Sequence, residues 1–292
     1  MKAENTEMRL KLFMNKGKLY IVPTPIGNME DITLRAIRIL KEADFIACED
    51  TRHTGRLLKY FEIENKMISY HKHNEEFRSD FFIEELMNGK NIALVSDAGM
   101  PGINDPGQIM VEKAVESGVD LEVLPGATAS ITALILSGMD TSVFTYLGFI
   151  PRSAKEQKEF IELLSKLEHT GILYESVHRI KQSLKLLSDY FPDRKIALCR
   201  ELTKLHEEVI RGSVKEVLER IEHKETLKGE FVLVLEGAKI ESEEIDIRKV
   251  LEEYQEEGLS RKESVKKACS LYNLKRNEVY EISLEIPWKK RL

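Results

Sequence analysis

The stretch Lys18-Leu19-Tyr20-Ile21-Val22-Pro23-Thr24-Pro25-Ile26-Gly27-Asn28 decides the fold. Its dense apolar run, Leu19–Val22, reads as a buried strand. The run enters two prolines and a glycine, which break any helix. Asp31–Leu40 then has helical spacing, with Leu34, Ile37 and Leu40 three apart. A strand, a rigid loop and a helix make the first half of a βαβ unit.

The alternation continues outward from there. Strands are expected at Phe45–Cys48, Ile68–His71, Ile92–Val95 and Leu121–Leu124, with helices at Gly55–Phe61, Glu75–Met87, Gln108–Ser117 and Ala129–Ser137. Glu49–Thr54 reads as a polar turn. This pattern predicts an α/β fold with a largely parallel sheet, whose ligands sit beyond the carboxyl ends of the strands. A second block holds strands at Gly171–Tyr174, Ile196–Cys199 and Phe231–Leu235, and helices at Lys155–Leu167, Ile180–Tyr190 and Val214–His223. The boundary is placed near Leu147–Ser153, giving domains 18–147 and 148–240 and an appendage at 241–292.

The appendage has its own charge pattern. Glu241–Glu257 carries eight acidic residues against two basic ones, and Gly258–Leu292 nine basic against four acidic. Val250, Leu251 and Tyr254 favour one helix. Ser260 and Glu263 form a capping box for a second, with Val265, Ala268 and Leu271 as its buried stripe. Arg261, Lys262, Lys266 and Lys267 would share a positive outer surface.

A chain of 292 residues is long enough for about two domains. Its net charge of −6 gives no whole-molecule attraction to nucleic acid, so any such contact must be local. Cys48, Cys199 and Cys269 are far apart and form no CxxC pair, which argues against disulfides and a cysteine zinc site and suits a reducing cytoplasm. The charged start has no signal-peptide core, and the longest apolar-rich segment, Thr128–Met139, is too short to span a membrane.

Chemistry is expected from three loops that each follow a strand: Pro23–Asn28, Ser96–Gly107 and Pro125–Thr128. Their glycines admit close approach of a ligand to the backbone, and their prolines fix the loop shape. Ordinary βα connections would share this composition one at a time; three together suggest a pocket. The first loop lacks G-x-G-x-x-G, and no Walker phosphate loop, H-E-x-x-H or G-x-S-x-G occurs. His71 and His73 lie two apart without a metal-ligand pattern. The other polar cluster is Glu49-Asp50-Thr51-Arg52-His53-Thr54-Gly55-Arg56. Asp50 or Thr51 suits a helix cap, and Arg52, His53 and Arg56 suit phosphate or substrate contacts. A similar stretch, Arg200–Glu208, contains Lys204 and His206.

Several longer stretches together resemble a known family: LYIVPTPIGNMEDITLRAI, EDTRHTGRLLKYF, ALVSDAGMPGINDPG, GFIPR, YESVHR, RELTKLHEEVIRG and KGEFVLVLEG. They are similar to the ribosomal small-subunit RNA cytidine 2'-O-methyltransferases, within the tetrapyrrole-methylase-like S-adenosylmethionine enzymes. GLSRKESVKKACSLYNLKRNEVYEI resembles that family's small C-terminal domain, so the likeness covers nearly the whole chain from Lys18. The resemblance implies two α/β domains with the cofactor S-adenosylmethionine in the cleft between them. It also implies a homodimer, a small ribosomal subunit RNA substrate, no required metal and no membrane. Donor contacts would come from Pro25, Ile26, Gly27, Ser96, Asp97, Ala98, Met100, Thr128, Ala129 and Glu175. Met100 stands where the family often has Thr, and Val177 where Pro is frequent. A precorrin-type small-molecule methyltransferase and a non-catalytic RNA-binding protein are the alternatives.

For the ribose hydroxyl, Asp50 or Glu49 is expected as base or orienter, with Arg52 and Lys204 positioning phosphate. The reacting hydroxyl is expected beside Glu49–Arg56, because sequential strands usually neighbour one another and would set that loop next to the first.

Overall fold

The computed structural model describes residues 16–224, 227–239, 246–272 and 274–288. The start through Asn15, the acidic residues Glu241, Glu243 and Glu244, and the basic residues Lys289, Lys290 and Arg291 lie outside them. Internal contacts group the chain into two units, 1–238 and 239–292.

The first unit holds two five-stranded sheets. In the first sheet, β1 (Lys18–Ile21), β2 (Phe45–Cys48), β3 (Met67–Ser69), β4 (Ile92–Val95) and β5 (Asp120–Val123) run parallel in the order β3-β2-β4-β1-β5. Helices α1 (Leu34–Glu42), α2 (Thr51–Tyr60), α3 (Glu75–Met87) and α4 (Gln108–Glu116) connect them. Every residue of β4 is buried, as expected of a strand covered on both faces. Two apolar clusters flank the sheet, one around Leu40, Ile46 and Val95 and the other around Leu19, Phe82 and Leu94.

The strand order departs from the sequence expectation. β4 lies between β1 and β2, so these two sequential strands are not neighbours. Glu49–Thr54 differs too. Instead of a polar turn, the helix starts at Thr51, because Asp50 accepts the Arg52 amide at 2.8 Å and caps it.

α5 (Ala129–Ser137) leads to the second sheet, ordered β6-β7-β10-β8-β9. Its strands are β6 (Phe144–Phe149), β7 (Thr170–Ser176), β8 (Lys195–Arg200), β9 (Glu208–Ser213) and β10 (Glu230–Leu235). Helices α6 (Ala154–Lys166), α7 (Ile180–Tyr190) and α8 (Val214–Glu222) accompany them. Only β6 and β7 pair in parallel; the other pairings are antiparallel. α5 packs on the face formed by Ile172, Ala197, Val232 and Val234, where Ile26 of the first loop joins it. That shared cluster fastens the first loop to the second sheet.

The second unit contains α9 (Ile247–Glu256), α10 (Arg261–Tyr272) and α11 (Arg276–Glu285) around Leu251, Tyr254, Ala268 and Val279. Glu263 accepts the Ser260 amide at 2.9 Å, the reciprocal half of the capping box. Val265 and Ala268 are buried, but Leu271 is 65% exposed, so the expected stripe stops one turn early. α11 has no counterpart among the sequence expectations. No helix among the described residues is long and apolar enough to cross a membrane.

Candidate active site

The loops after β1 and β4 are joined by their backbones. Thr24 and Gly99 exchange amide-to-carbonyl hydrogen bonds of 3.0 Å in each direction. The Thr24 hydroxyl donates to the Ser96 carbonyl at 3.0 Å, and the Ser96 hydroxyl to the Gly99 carbonyl at 3.0 Å. Gly99 sits at φ +82°, where other residues are strained, and an added Cβ would stand 3.3 Å from Ile26 Cγ2. Gly126, after β5, is needed for a different reason: a Cβ there would meet Pro23 at 2.7 Å. The three Gly/Pro loops are therefore close-packed on one another.

They enclose a cavity of about 590 Å³ together with residues of the second sheet. Among the expected donor contacts, Ile26, Asp97, Ala98, Met100, Thr128 and Ala129 line it. Glu175 lines it as well, but its carboxylate is engaged internally. One oxygen accepts the Ser176 amide at 2.7 Å and faces Arg179 Nη1 at 3.8 Å; the other accepts the Ser183 hydroxyl at 2.5 Å. With its side chain fully buried, Glu175 organises the turn into α7 rather than offering free acceptors.

A smaller recess of about 300 Å³ adjoins the cavity and shares Ile26, Asp97, Ala98 and Glu230 with it. Pro25, Gly27, Ser96 and Lys204 line this recess and not the larger cavity. Lys204 is held by Glu201 at 2.8 Å and Glu230 at 3.0 Å, with its stem across Gly27, where a Cβ would meet Lys204 Cγ at 2.3 Å. Glu201 and Thr203 both have positive φ, 50° and 63°, so Leu202 and Lys204 are presented by a strained loop.

The proposed catalytic carboxylates separate sharply. Asp50 lines neither space; its carboxylate takes the Arg52 amide and guanidinium, at 2.8 Å to Nη2. The Arg52 side chain is 89% exposed. These bonds hold the Asp50 carboxyl well below the usual range, which makes it a poor proton acceptor. Arg52 likewise lines neither space and has the Asp50 carboxylate as its partner.

Glu49, one residue earlier, lines the large cavity with Asp97, Asp105 and Lys72. Burial, then the Asp105 and Asp97 charges, raise its pKa, while Lys72 opposes them. Asp105 is raised by burial and by Asp97 in turn. The cavity is thus acidic, which suits a cationic sulfonium donor; Ile26, Leu202, Val177 and Phe231 supply apolar wall beside it. Among the described residues, no cluster of three or more His, Cys, Asp or Glu is arranged to hold a metal.

Sequence reasoning missed Lys72, Asn104, Asp105, Tyr174 and Glu230. Lys72 follows β3 at its carboxyl end, where the rule for parallel sheets applies, and Asp105 lies inside the Ser96–Gly107 loop already singled out. Tyr174 is the residue before Glu175. Its hydroxyl accepts the Ser130 amide at 3.1 Å, holding the start of α5 against β7. Asn104 donates to the Tyr146 hydroxyl, tying the Ser96–Gly107 loop to β6.

The Tetrapyrrole (Corrin/Porphyrin) Methylases family model matches residues 18–218. The "Ribosomal RNA small subunit methyltransferase I" of Bacillus subtilis is 45% identical over 91% of this chain and 93% of its own length. The protein of that name from Halalkalibacterium halodurans is 43% identical over 92% and 95%, respectively. The crystal structure of a uroporphyrin-III-C-methyltransferase from Thermus thermophilus superposes with a TM-score of 0.54 at 22% identity, covering 76% of this chain and 94% of that one. That likeness is one of fold. On the family model and the near full-length relatives, the chain belongs to the tetrapyrrole (corrin/porphyrin) methylase family.

Proposed function

We propose that the chain methylates a cytidine ribose 2'-oxygen in small-subunit ribosomal RNA, in the cytoplasm, with S-adenosylmethionine as donor. The observation that carries the substrate is the near full-length likeness to proteins named as small-subunit ribosomal RNA methyltransferases. The cavity's chemistry fits the donor: carboxylates for the positive end and apolar wall for the rest. When bound, S-adenosylmethionine supplies a methyl group already activated by a sulfonium.

The chain's own residues must then hold the donor, aim the ribose oxygen and receive its proton. Ile26, Asp97, Ala98, Met100, Thr128 and Ala129 hold the donor, while Pro25, Gly27 and Ser96 shape the loop behind it. Glu175 supports the second-sheet wall. Glu49 accepts the hydroxyl proton as the oxygen–methyl bond forms and the sulfur–methyl bond breaks; the proton then passes to solvent. A raised pKa suits a base working near neutrality better than the depressed one of Asp50. Asp50 and Arg52 set the start of α2, and Lys204 fixes the loop against Gly27. Alignment within the cavity supplies much of the rate.

The domain reading, 18–147, 148–240 and 241–292, assigns donor and ribose to the first two segments and RNA contact to the third. A homodimer is the proposed assembly. It is supported by apolar side chains exposed on α5, Ile131 and Ile135, and by Val143 and Phe144 at the edge strand β6.

Labelled donor and unmethylated small ribosomal subunits, followed by mass mapping, test the reaction. A single new ribose methyl group on a cytidine is the expected product. Label entering a precorrin supplied in parallel, and not the RNA, would reject the reading.

A further inference from the structure

We infer that the 300 Å³ recess beside the donor cavity is a phosphodiester subsite, holding the RNA backbone next to the reacting ribose. This rests on the RNA reading above. The recess is at the small end of ligand-site volumes, about 300–1,000 Å³, and is continuous with the cavity through their shared lining.

Asp97 and Glu230 line both the recess and the donor cavity, while His53 and Arg56 of α2 line the recess alone. Lys204, also on the lining, already carries Glu201 and Glu230. Arg56 has no carboxylate partner among the described residues; its Nη2 meets only His53 Nδ1, at 3.3 Å. An exposed guanidinium left unpaired at the edge of a recess can bind a phosphate with two parallel hydrogen bonds.

Beneath the recess, Thr54 turns its hydroxyl toward the core and away from any ligand held there. Thr54 lines the recess, is 2% exposed, and its hydroxyl has no hydrogen-bond partner. A buried hydroxyl without a partner costs about 1–3 kcal/mol and is rare in folded proteins. The neighbouring group is the Cys48 thiol, pushed up to about 11 by burial and so neutral, a weak partner at best.

The arrangement also answers an electrostatic problem. The donor cavity carries Glu49, Asp97 and Asp105 against the single cation Lys72, a balance that attracts a sulfonium and repels an RNA backbone. A flanking phosphate is better placed in the recess, which His53 and Arg56 line and Glu49 and Asp105 do not.

The test uses the full chain and a synthetic RNA fragment spanning the methylated nucleotide. The fragment is made with natural phosphates or with a neutral methylphosphonate on one side of that nucleotide. Binding is followed by anisotropy and donor-site integrity by calorimetry with S-adenosylhomocysteine. Arg56→Ala should weaken the natural fragment about tenfold and lower the salt-dependence slope by about one. The methylphosphonate should weaken parent binding on one side only, and Arg56→Ala should add nothing to that loss. Adenosyl binding should be unchanged in Arg56→Ala. Additive losses, or a methylphosphonate that is neutral on both sides, overturn the subsite. A parent that binds the adenosyl ligand but no RNA overturns the functional reading, and the subsite with it.

Discussion

The Asp50 amide donates to Asp97 Oδ1 at 3.2 Å, joining the end of the second strand to the loop after the fourth. The bond exists because β4, not β1, lies beside β2. It sets Glu49 into the large cavity and turns the Asp50 side chain away to cap α2. Two adjacent carboxylates thereby receive opposite environments, one half-buried among like charges and one bonded to Arg52.

Glu49→Gln should lower the single-turnover methylation rate at least about 100-fold, the lower end for loss of a general base. Asp50→Asn should stay within about twofold, since Asn caps helices as well as Asp. In the parent, the rate should rise with pH through a value above the ordinary Glu pKa. The same shift has a stability cost. A carboxyl whose pKa is raised on folding binds its proton more tightly in the native state, so its contribution weakens as pH climbs from the unfolded to the folded pKa. Glu49→Gln should therefore melt higher than the parent at neutral pH. A Glu49→Gln enzyme with full rate from pH 6 to 9 would remove Glu49 as base.

Gly27→Ala should disturb the first loop, because the new Cβ would lie 2.3 Å from Lys204 Cγ and 3.0 Å from the Leu202 carbonyl. Donor affinity and melting temperature should both fall. Lys204→Ala made in the same chain removes the nearer clash and should recover part of each loss, a coupling that a double-mutant cycle measures. Equal effects with and without Lys204 would show that this clash does not govern the loop.

The first sheet is largely legible in the sequence. Phe45–Cys48 and Ile92–Val95 are buried apolar runs bounded by loop residues, and the strands begin and end where those runs do. β6 and β9 escape sequence reading for a physical reason. Both are edge strands: Phe144–Phe149 contains Gly148 at φ +65° within an irregular register, and Glu208–Ser213 carries Glu208 and Arg211 in place of an apolar run. Strand order is beyond reach because it is set by which faces the helices cover, information spread over the whole chain. Lys72 and Asp105 are hidden for the same reason: each looks like surface charge until the strand order brings it to Glu49. The residues of the three Gly/Pro loops are easier, since glycine and proline mark their own backbone demands.

Arg179→Ala should destabilise the fold by about 3 kcal/mol, as it leaves Glu175 buried without its cation. The Arg179 guanidinium also donates to the Pro151 carbonyl at 3.0 Å, so the chain entering α6 should loosen with it. Denaturant unfolding gives the magnitude, and hydrogen exchange at residues 150–153 locates it. A loss below about 0.5 kcal/mol would mean that Ser183 and the Ser176 amide suffice for the carboxylate.

Ile135→Asp should convert the proposed dimer to a 33.6 kDa monomer in sedimentation at micromolar concentration. Ile135 is 66% exposed on α5, so the change leaves the fold intact while placing a charge on the apolar patch. A parent that already sediments as a monomer would reject the dimer.

The last prediction concerns the second unit, where two of the four expected cations have no ion pair or ring contact among the described residues. Lys267 is paired with Glu257 at 2.9 Å and lies 4.1 Å from the Tyr254 ring centre, and Arg261 stands 5.8 Å from that of Tyr280. Lys262 and Lys266, four apart on α10, are exposed. If this face contacts RNA, Lys262→Glu with Lys266→Glu should weaken subunit binding and lower its salt slope by about one for each phosphate no longer neutralised. Adenosyl binding and the melting temperature should not move. Lys267→Ala should do the reverse, loosening the unit with little effect on the slope, since its charge is already matched by Glu257. The intramolecular explanation, that the basic segment exists to balance the acidic one, gives a different pattern. In that case charge reversal at Lys262 and Lys266 would lower stability and leave RNA affinity at the parental value in low salt, where a phosphate contact is strongest.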